Sequence, residues 1–204
     1  MKKIVYFAAV AALFVSGAAQ AAESNVSTSQ NNSANIKSTL NATVEHVQDA
    51  VSLTSAAIGN TVTIDGGQAG YVKNNQVFRG DAVAQLNGTL SDIDGKVDAT
   101  AAAIANSGTI NVTYAGSISN TQLADYDPTA TLSARINGVG DDVSATAAAI
   151  SNSMTINGDF GYAGSFQGNG AAVNAVANLS VGNVSGAVSA TSAAIGNTLT
   201  VKGF

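Results

Sequence analysis

The chain of 204 residues contains no cysteine, a single histidine and few charges: charged residues make up 10% and aromatic residues 5% of it. Without cysteine there are no disulfides, no thiolate metal sites and no lipid attachment through an N-terminal cysteine. With His46 alone, neither a multi-histidine metal site nor a nucleophilic triad with a second histidine can be built. The formal charge of −5, with eight scattered cations, offers no footprint for nucleic acid or anionic lipid. A domain this poor in charge and free of disulfides gains its stability from burial or from association with copies of itself. Ala, Gly, Ser, Thr and Asn dominate instead, which predicts tightly packed, repetitive structure.

Residues 1–21 have the three parts of a secretory signal: Lys2 and Lys3, an apolar run from Ile4 to Val15, and small residues ending at Ala21. The run is shorter than the roughly 20 residues a bilayer core requires, so cleavage after Ala21 is expected rather than a transmembrane anchor. Loss of Lys2 and Lys3 moves the formal charge from −5 to −7. Residues 22–39 form a polar segment rich in Ser, Asn and Thr, readable as a disordered leader or as a segment donated to a neighbouring molecule.

The remainder, 40–204, repeats. Ala-Ala-Ile precedes an Asn and a Thr-rich alternation four times, and its isoleucines Ile58, Ile104, Ile150 and Ile195 fall 46, 46 and 45 residues apart. Units run over about 40–85, 86–131, 132–176 and 177–204. Upstream of each isoleucine the apolar residues step by four and three, as in Leu86, Leu90, Ile93, Val97 and Ile104, a spacing that predicts one face of a helix. Gly88, Gly95, Gly138, Gly140, Gly182 and Gly186 weaken such helices by about 1 kcal/mol each, so they depend on stacking. Thr61-Val62-Thr63-Ile64 and Thr198-Leu199-Thr200-Val201 then alternate as a strand with one buried face. Asn60, Asn106, Asn152 and Asn197 suit a helix end between the two. The connecting stretches carry Ala69-Gly70-Tyr71, Tyr114-Ala115-Gly116 and Tyr162-Ala163-Gly164 and read as a second strand plus turn. The expected fold is an α/β solenoid of about four helix-plus-strand units, helices stacked on one side of a β layer. The Val/Ile steps resemble stalk segments of bacterial trimeric surface adhesins over the helical third of each unit, without that family's barrel anchor.

No catalytic constellation is legible, and an enzyme is not expected. His46 reads as a polar rim position, matched by Asp92, Asn137 and Asn183 in the other units. Asp92, Asp94 and Asp98, the pair Asp141 and Asp142, and the pair Asp125 and Asp127 read as a solvated face, with weak extracellular-type calcium binding as the alternative; no cofactor is expected. Asn-X-Ser/Thr tripeptides, among them those at Asn41, Asn87, Asn111 and Asn178, are chance matches in so polar a chain. Leu199 and Val201 lie on the parity opposite to Phe204, which argues against the closing strand of an outer-membrane barrel.

Export, repetition and low charge point to a secreted bacterial subunit that assembles head to tail with its own copies into a cell-surface filament, sheath or matrix fibre. The expected assembly contacts are Thr198, Leu199, Thr200, Val201 and Phe204 in the last strand. The alternative is a monomeric adhesin that stacks surface glycans on Tyr71, Phe78, Tyr114, Tyr126, Tyr162 and Phe166.

Overall fold

The computed structural model describes residues 5–12 and 25–203; the expected cleavage point at Ala21 and the chain end at Phe204 lie outside them. The described residues contain no helix. Eleven strands follow in order: β1 Val5–Ala12, β2 Val26–Asn32, β3 Ile36–Val47, β4 Val51–Phe78, β5 Ala82–Ile93, β6 Val97–Ala124, β7 Pro128–Val139, β8 Val143–Phe160, β9 Ala163–Asn169, β10 Asn174–Val184 and β11 Val188–Lys202. They form two sheets, β1-β4-β6-β8-β11 with β2 beside β4 and β9 beside β6, and β10-β7-β5-β3. All pairings are parallel.

The repeat is thus a coil of strands stacked on its neighbours: Val51 pairs with Val97, Val97 with Val143, and Val143 with Val188. The offsets of 46, 46 and 45 residues are those of the isoleucines, so the period in the sequence is one turn of a parallel β-solenoid. The long strands bend. Val51–Ile58 of β4 lies beside β1 and Val72–Phe78 beside β2, so one continuous strand covers two sides of the coil. The third side belongs to β3, β5, β7 and β10.

The helical part of the expected fold is therefore overturned, and the reason is local. Residues four apart share a face in a strand as well as in a helix. Leu86 and Leu90 are both buried on β5, but Ile93, three further on, is buried too because Asp92 between them adopts φ 53° and shifts the alternation by one residue. His46, Gly138 and Asn183 make the same left-handed step at φ 57°, 68° and 52°. Register places Gly138, not Asn137, opposite His46 and Asp92, and Asn137 pairs with Ser91. Glycine fits that column because a residue without Cβ adopts positive φ at no steric cost. Alanines line the inside of β6: Ala99, Ala101 and Ala103 are buried against the side that carries Leu86 and Leu90. Small residues facing large ones keep the coil thin.

Two apolar clusters fill the coil. One joins the first halves of the long strands to β3, β5 and β7; the other joins Val62, Ile64, Ile110 and Ile156 to Val72 and Ile118. Buried amides stand between them. Asn60, Asn106, Asn152 and Asn197, expected at helix ends, form an amide ladder with N–H···O distances of 2.8, 2.8 and 2.7 Å. Gln30, Gln76, Gln122 and Gln167 form a second ladder at 2.8, 2.8 and 2.7 Å. Each ladder also reaches across the coil: Asn106 donates to the Leu123 carbonyl at 2.8 Å and Gln122 to the Ser153 carbonyl at 2.9 Å. The amides thus tie two sides of one coil together while tying coil to coil, with the donors satisfied that burial would otherwise penalise.

The polar segment before Leu40 folds into this scheme where it is described. Ser27 pairs with Lys73 and Asn31 with Val77, so 26–32 lie one coil before Val72–Phe78 of the same chain.

Candidate assembly ends and a tyrosine corner

A parallel solenoid leaves one open strand edge per side at each end, and open edges pair with other chains unless they are covered. At the far end β9, β10 and β11 are the outermost strands. The expected contact residues Thr198, Leu199, Thr200 and Val201 lie on β11, with Thr198 and Thr200 turned outward in the columns of Thr61 and Thr63. Leu199 and Val201 turn inward with Met154 and Ile156 of the preceding coil. Met154 and Ile156 are 1% and 0% exposed, whereas Leu199 and Val201, which no coil of the described residues covers, are 45% and 46% exposed. Both amide ladders end in this coil, at Asn197 and Gln167.

At the near end, Val51–Ile58 of β4 is paired by β1, which falls in the expected signal segment. Val5 stands opposite Val51 and Ala12 opposite Ile58, so β1 holds the place of a preceding coil. Val188-Ser-Ala-Thr-Ser-Ala-Ala-Ile195 differs from Val51-Ser-Leu-Thr-Ser-Ala-Ala-Ile58 at one position, Ala190 against Leu53.

Of the six aromatics expected to line a sugar site, three meet at one corner of the coil. Tyr71 and Tyr162 share an outward column with Ser117 between them, since Tyr71 pairs with Ser117 and the Tyr162 carbonyl accepts from Ile118 N. They are 43% and 66% exposed, and Tyr114, 45% exposed, lies near them with its hydroxyl beside Gly161. Gly70, Gly116 and Gly161 stack in the adjoining column, where a Cβ on Gly116 would meet the Gly70 carbonyl at 2.6 Å. The register makes Phe160-Gly161-Tyr162, not Tyr162-Ala163-Gly164, the counterpart of Ala69-Gly70-Tyr71, because Ala115 pairs with both Ala69 and Phe160. Phe78 is fully buried and packs over Gly59, so it leaves the set. Tyr126 lies in the turn between β6 and β7, and Phe166 is on β9; both are exposed and apart from the corner.

The acids do not converge. Asp125 pairs with Arg79 at 3.2 Å, Asp98 with Lys96 at 2.9 Å and Asp92 with His46 Nδ1 at 3.2 Å, all at the surface. Asp127 and Asp142 instead accept backbone N–H groups of the following coil, from Ala172 at 2.9 Å and Ala187 at 2.7 Å. Among the described residues no group of three metal-ligating side chains comes together. Asn41, Asn87 and Asn178 share one column on the outer face of β3, β5 and β10, with Ser133 between, which the period alone explains. The glutamine ladder was overlooked in the sequence, although Gln30, Gln76, Gln122 and Gln167 carry the same spacing of 46, 46 and 45 as the isoleucines.

Comparison with known families assigns the chain. The holdfast attachment protein D (HfaD) family matches residues 67–204, from the second coil to the end. The chain belongs to the HfaD family. Membership makes it a bacterial cell-surface holdfast component with a structural, adhesive role. Comparison with curated proteins and with solved structures gives no match. No helix among the described residues is long and apolar enough to cross a membrane.

Proposed function

We propose that this HfaD-family chain is an exported structural subunit that stacks head to tail into a cell-surface filament, sheath or fibre. One observation carries the reading: the first eight residues of β11, Val188–Ile195, match Val51–Ile58 of β4 at all but Ala190 against Leu53, so they fit the edge at Val51–Ile58 of the next molecule in the register used inside the chain. Removal of the signal segment, with β1, uncovers that edge. Stacking buries Leu199 and Val201 and extends the Asn and Gln columns, as in other ladders of identical amides. The contact is heterologous and does not close on itself, so it propagates. The test is light scattering and electron microscopy of the processed chain, beside a Val201→Lys variant that puts a charge into the half-exposed end. Filaments from the wild type and none from the variant are expected. A wild type that stays monomeric at high concentration for days rejects the proposal.

The tyrosine corner favours a second reading. Tyr71 and Tyr162 stand two coils apart, about 10 Å, with glycine backbone bare beside them, which suits an extended saccharide lying along the coil axis. A Tyr71→Ala, Tyr162→Ala double variant should lose binding to cell-surface polysaccharide on a glycan array; no saturable binding by the wild type rejects this reading.

A further inference from the structure

The outer face of the first half of the long strands is more regular than the inside beneath it. Ile58, Ile104, Ile150 and Ile195 form one column, half-buried by their neighbours in the first three coils and 39% exposed in the last. Beside it every coil has alanine, then threonine, in the order shown by Ala102 and Thr100. Two of the inward columns change from coil to coil, as Leu53 against Ala99 and Ser55 against Ala101 show, while those of Val51 and Ala57 stay constant. None of the column isoleucines packs against either core cluster, so packing of the core does not account for their constancy. Solvent-facing positions of a solenoid are free to carry charge, yet these three columns carry none. The nearest charges, Asp98 and Lys96, pair with each other at the border.

We infer that this Thr-Ala-Ile face is the contact between two stacks of this chain lying side by side. The occupant is a second copy for geometric reasons. A partner that meets all four coils alike must repeat every 4.7–4.9 Å along the coil axis, and this face itself does so. A two-fold axis parallel to the coil axis and passing between the Ile and Ala columns sets each Ile ridge opposite the other copy's Ala column. Large then meets small in both directions, which is the self-complementarity an isologous interface needs. Size sets the order of events. Seven residues along the strand and four strands across cover about 400 Å² per subunit, roughly half the 800 Å² per partner of a standard interface. A single subunit is too small to pair, and a stack of two or more is large enough. The inference rests on the head-to-tail reading: stacking comes first and lateral pairing follows.

The test uses the processed full chain in four forms: wild type, Ile104→Lys with Ile150→Lys, Ile104→Thr with Ile150→Thr, and Ala102→Cys. Filament width and mass per length come from electron microscopy, and folding of each variant is checked by thermal melting. Because the chain has no cysteine, Ala102→Cys provides a single thiol for a short bis-maleimide, which should join subunits of opposite stacks into covalent dimers. Paired wild-type filaments are expected, with the lysine variant giving single filaments of about half the mass per length and the threonine variant falling between. Lysine filaments that keep the wild-type width, or wild-type filaments that are single, overturn lateral pairing and leave stacking intact. A wild type without filaments, together with an Ala102→Cys chain that gives no cross-linked dimers, overturns both. Loss of adsorption to lipid vesicles in the lysine variant, with filament width unchanged, would assign the face to a membrane instead.

Discussion

Asn106 donates to the side-chain oxygen of Asn152, 46 residues away, at 2.8 Å, and both residues are fully buried. The bond repeats above and below, so each asparagine is held by two coils and by the opposite wall of its own. Buried amides of this kind stabilise only while every partner is present.

Asn106→Ala removes the acceptor of Asn60 and the donor to Asn152 and to the Leu123 carbonyl. At about 1 kcal/mol for each orphaned group, the loss is about 3 kcal/mol, read as a lower midpoint in urea unfolding. A change under about 1 kcal/mol would mean that the ladder contributes nothing net.

Ser151 lies in the same wall, in the column of Ala105, and its hydroxyl is buried without a hydrogen-bond partner. Replacing it with alanine deletes an unsatisfied polar atom and leaves the shape that Ala105 already has. Ser151→Ala should raise stability by about 1 kcal/mol, a gain visible as a higher melting temperature.

Two glycines at one corner should behave oppositely. Gly158 has φ +136°, and a Cβ there would run into the Val112 carbonyl, whereas a Cβ on Gly66 meets nothing within 4 Å. Gly158→Ala is expected to cost about 3 kcal/mol or more and Gly66→Ala to lie within about 1 kcal/mol of the wild type, on either side of zero. Equal effects in denaturant titrations would show that the corner is more pliable than its geometry implies.

Whole coils should be removable. Deleting 97–142 joins Lys96 to Val143 and sets Val51 opposite Val143, Asn60 opposite Asn152 and Gln76 opposite Gln167, each one coil apart. The shortened chain should keep a β-type circular dichroism spectrum, with an unfolding m-value about a quarter smaller because that value scales with the surface exposed. Deleting half as many residues brings unlike columns together and should prevent folding.

Much of this was legible in the residues. The period was, because identical side chains stacked one coil apart leave a repeat that no fold assignment is needed to see. The alternation of Thr61, Val62, Thr63 and Ile64 was also plain, and the structure buries Val62 and Ile64 while turning Thr61 and Thr63 outward. The helix was misread for an identifiable reason. Leu90 and Ile93 are three apart, as on a helix face, but it is the left-handed Asp92 between them that puts both inside. A dihedral angle of one residue leaves no trace in a hydrophobic pattern. Alanine, a good helix former, sits in strands here, with Ala99, Ala101 and Ala103 in one core with Leu86 and Leu90.

By itself, then, the sequence determined the period, the Thr-rich strand, the poverty of charge and the aromatic residues available for contact. Only the tertiary structure decided that the period is one turn of a β-solenoid and that the asparagines are a ladder rather than helix ends. It also decided that Tyr71, Tyr114 and Tyr162 share a corner while Phe78 is buried, and that β1 lies on the edge of Val51–Ile58. These are relations between residues about 46 apart, and the short-range pattern of a chain is silent on which residue lies one coil away until the backbone has closed its turn.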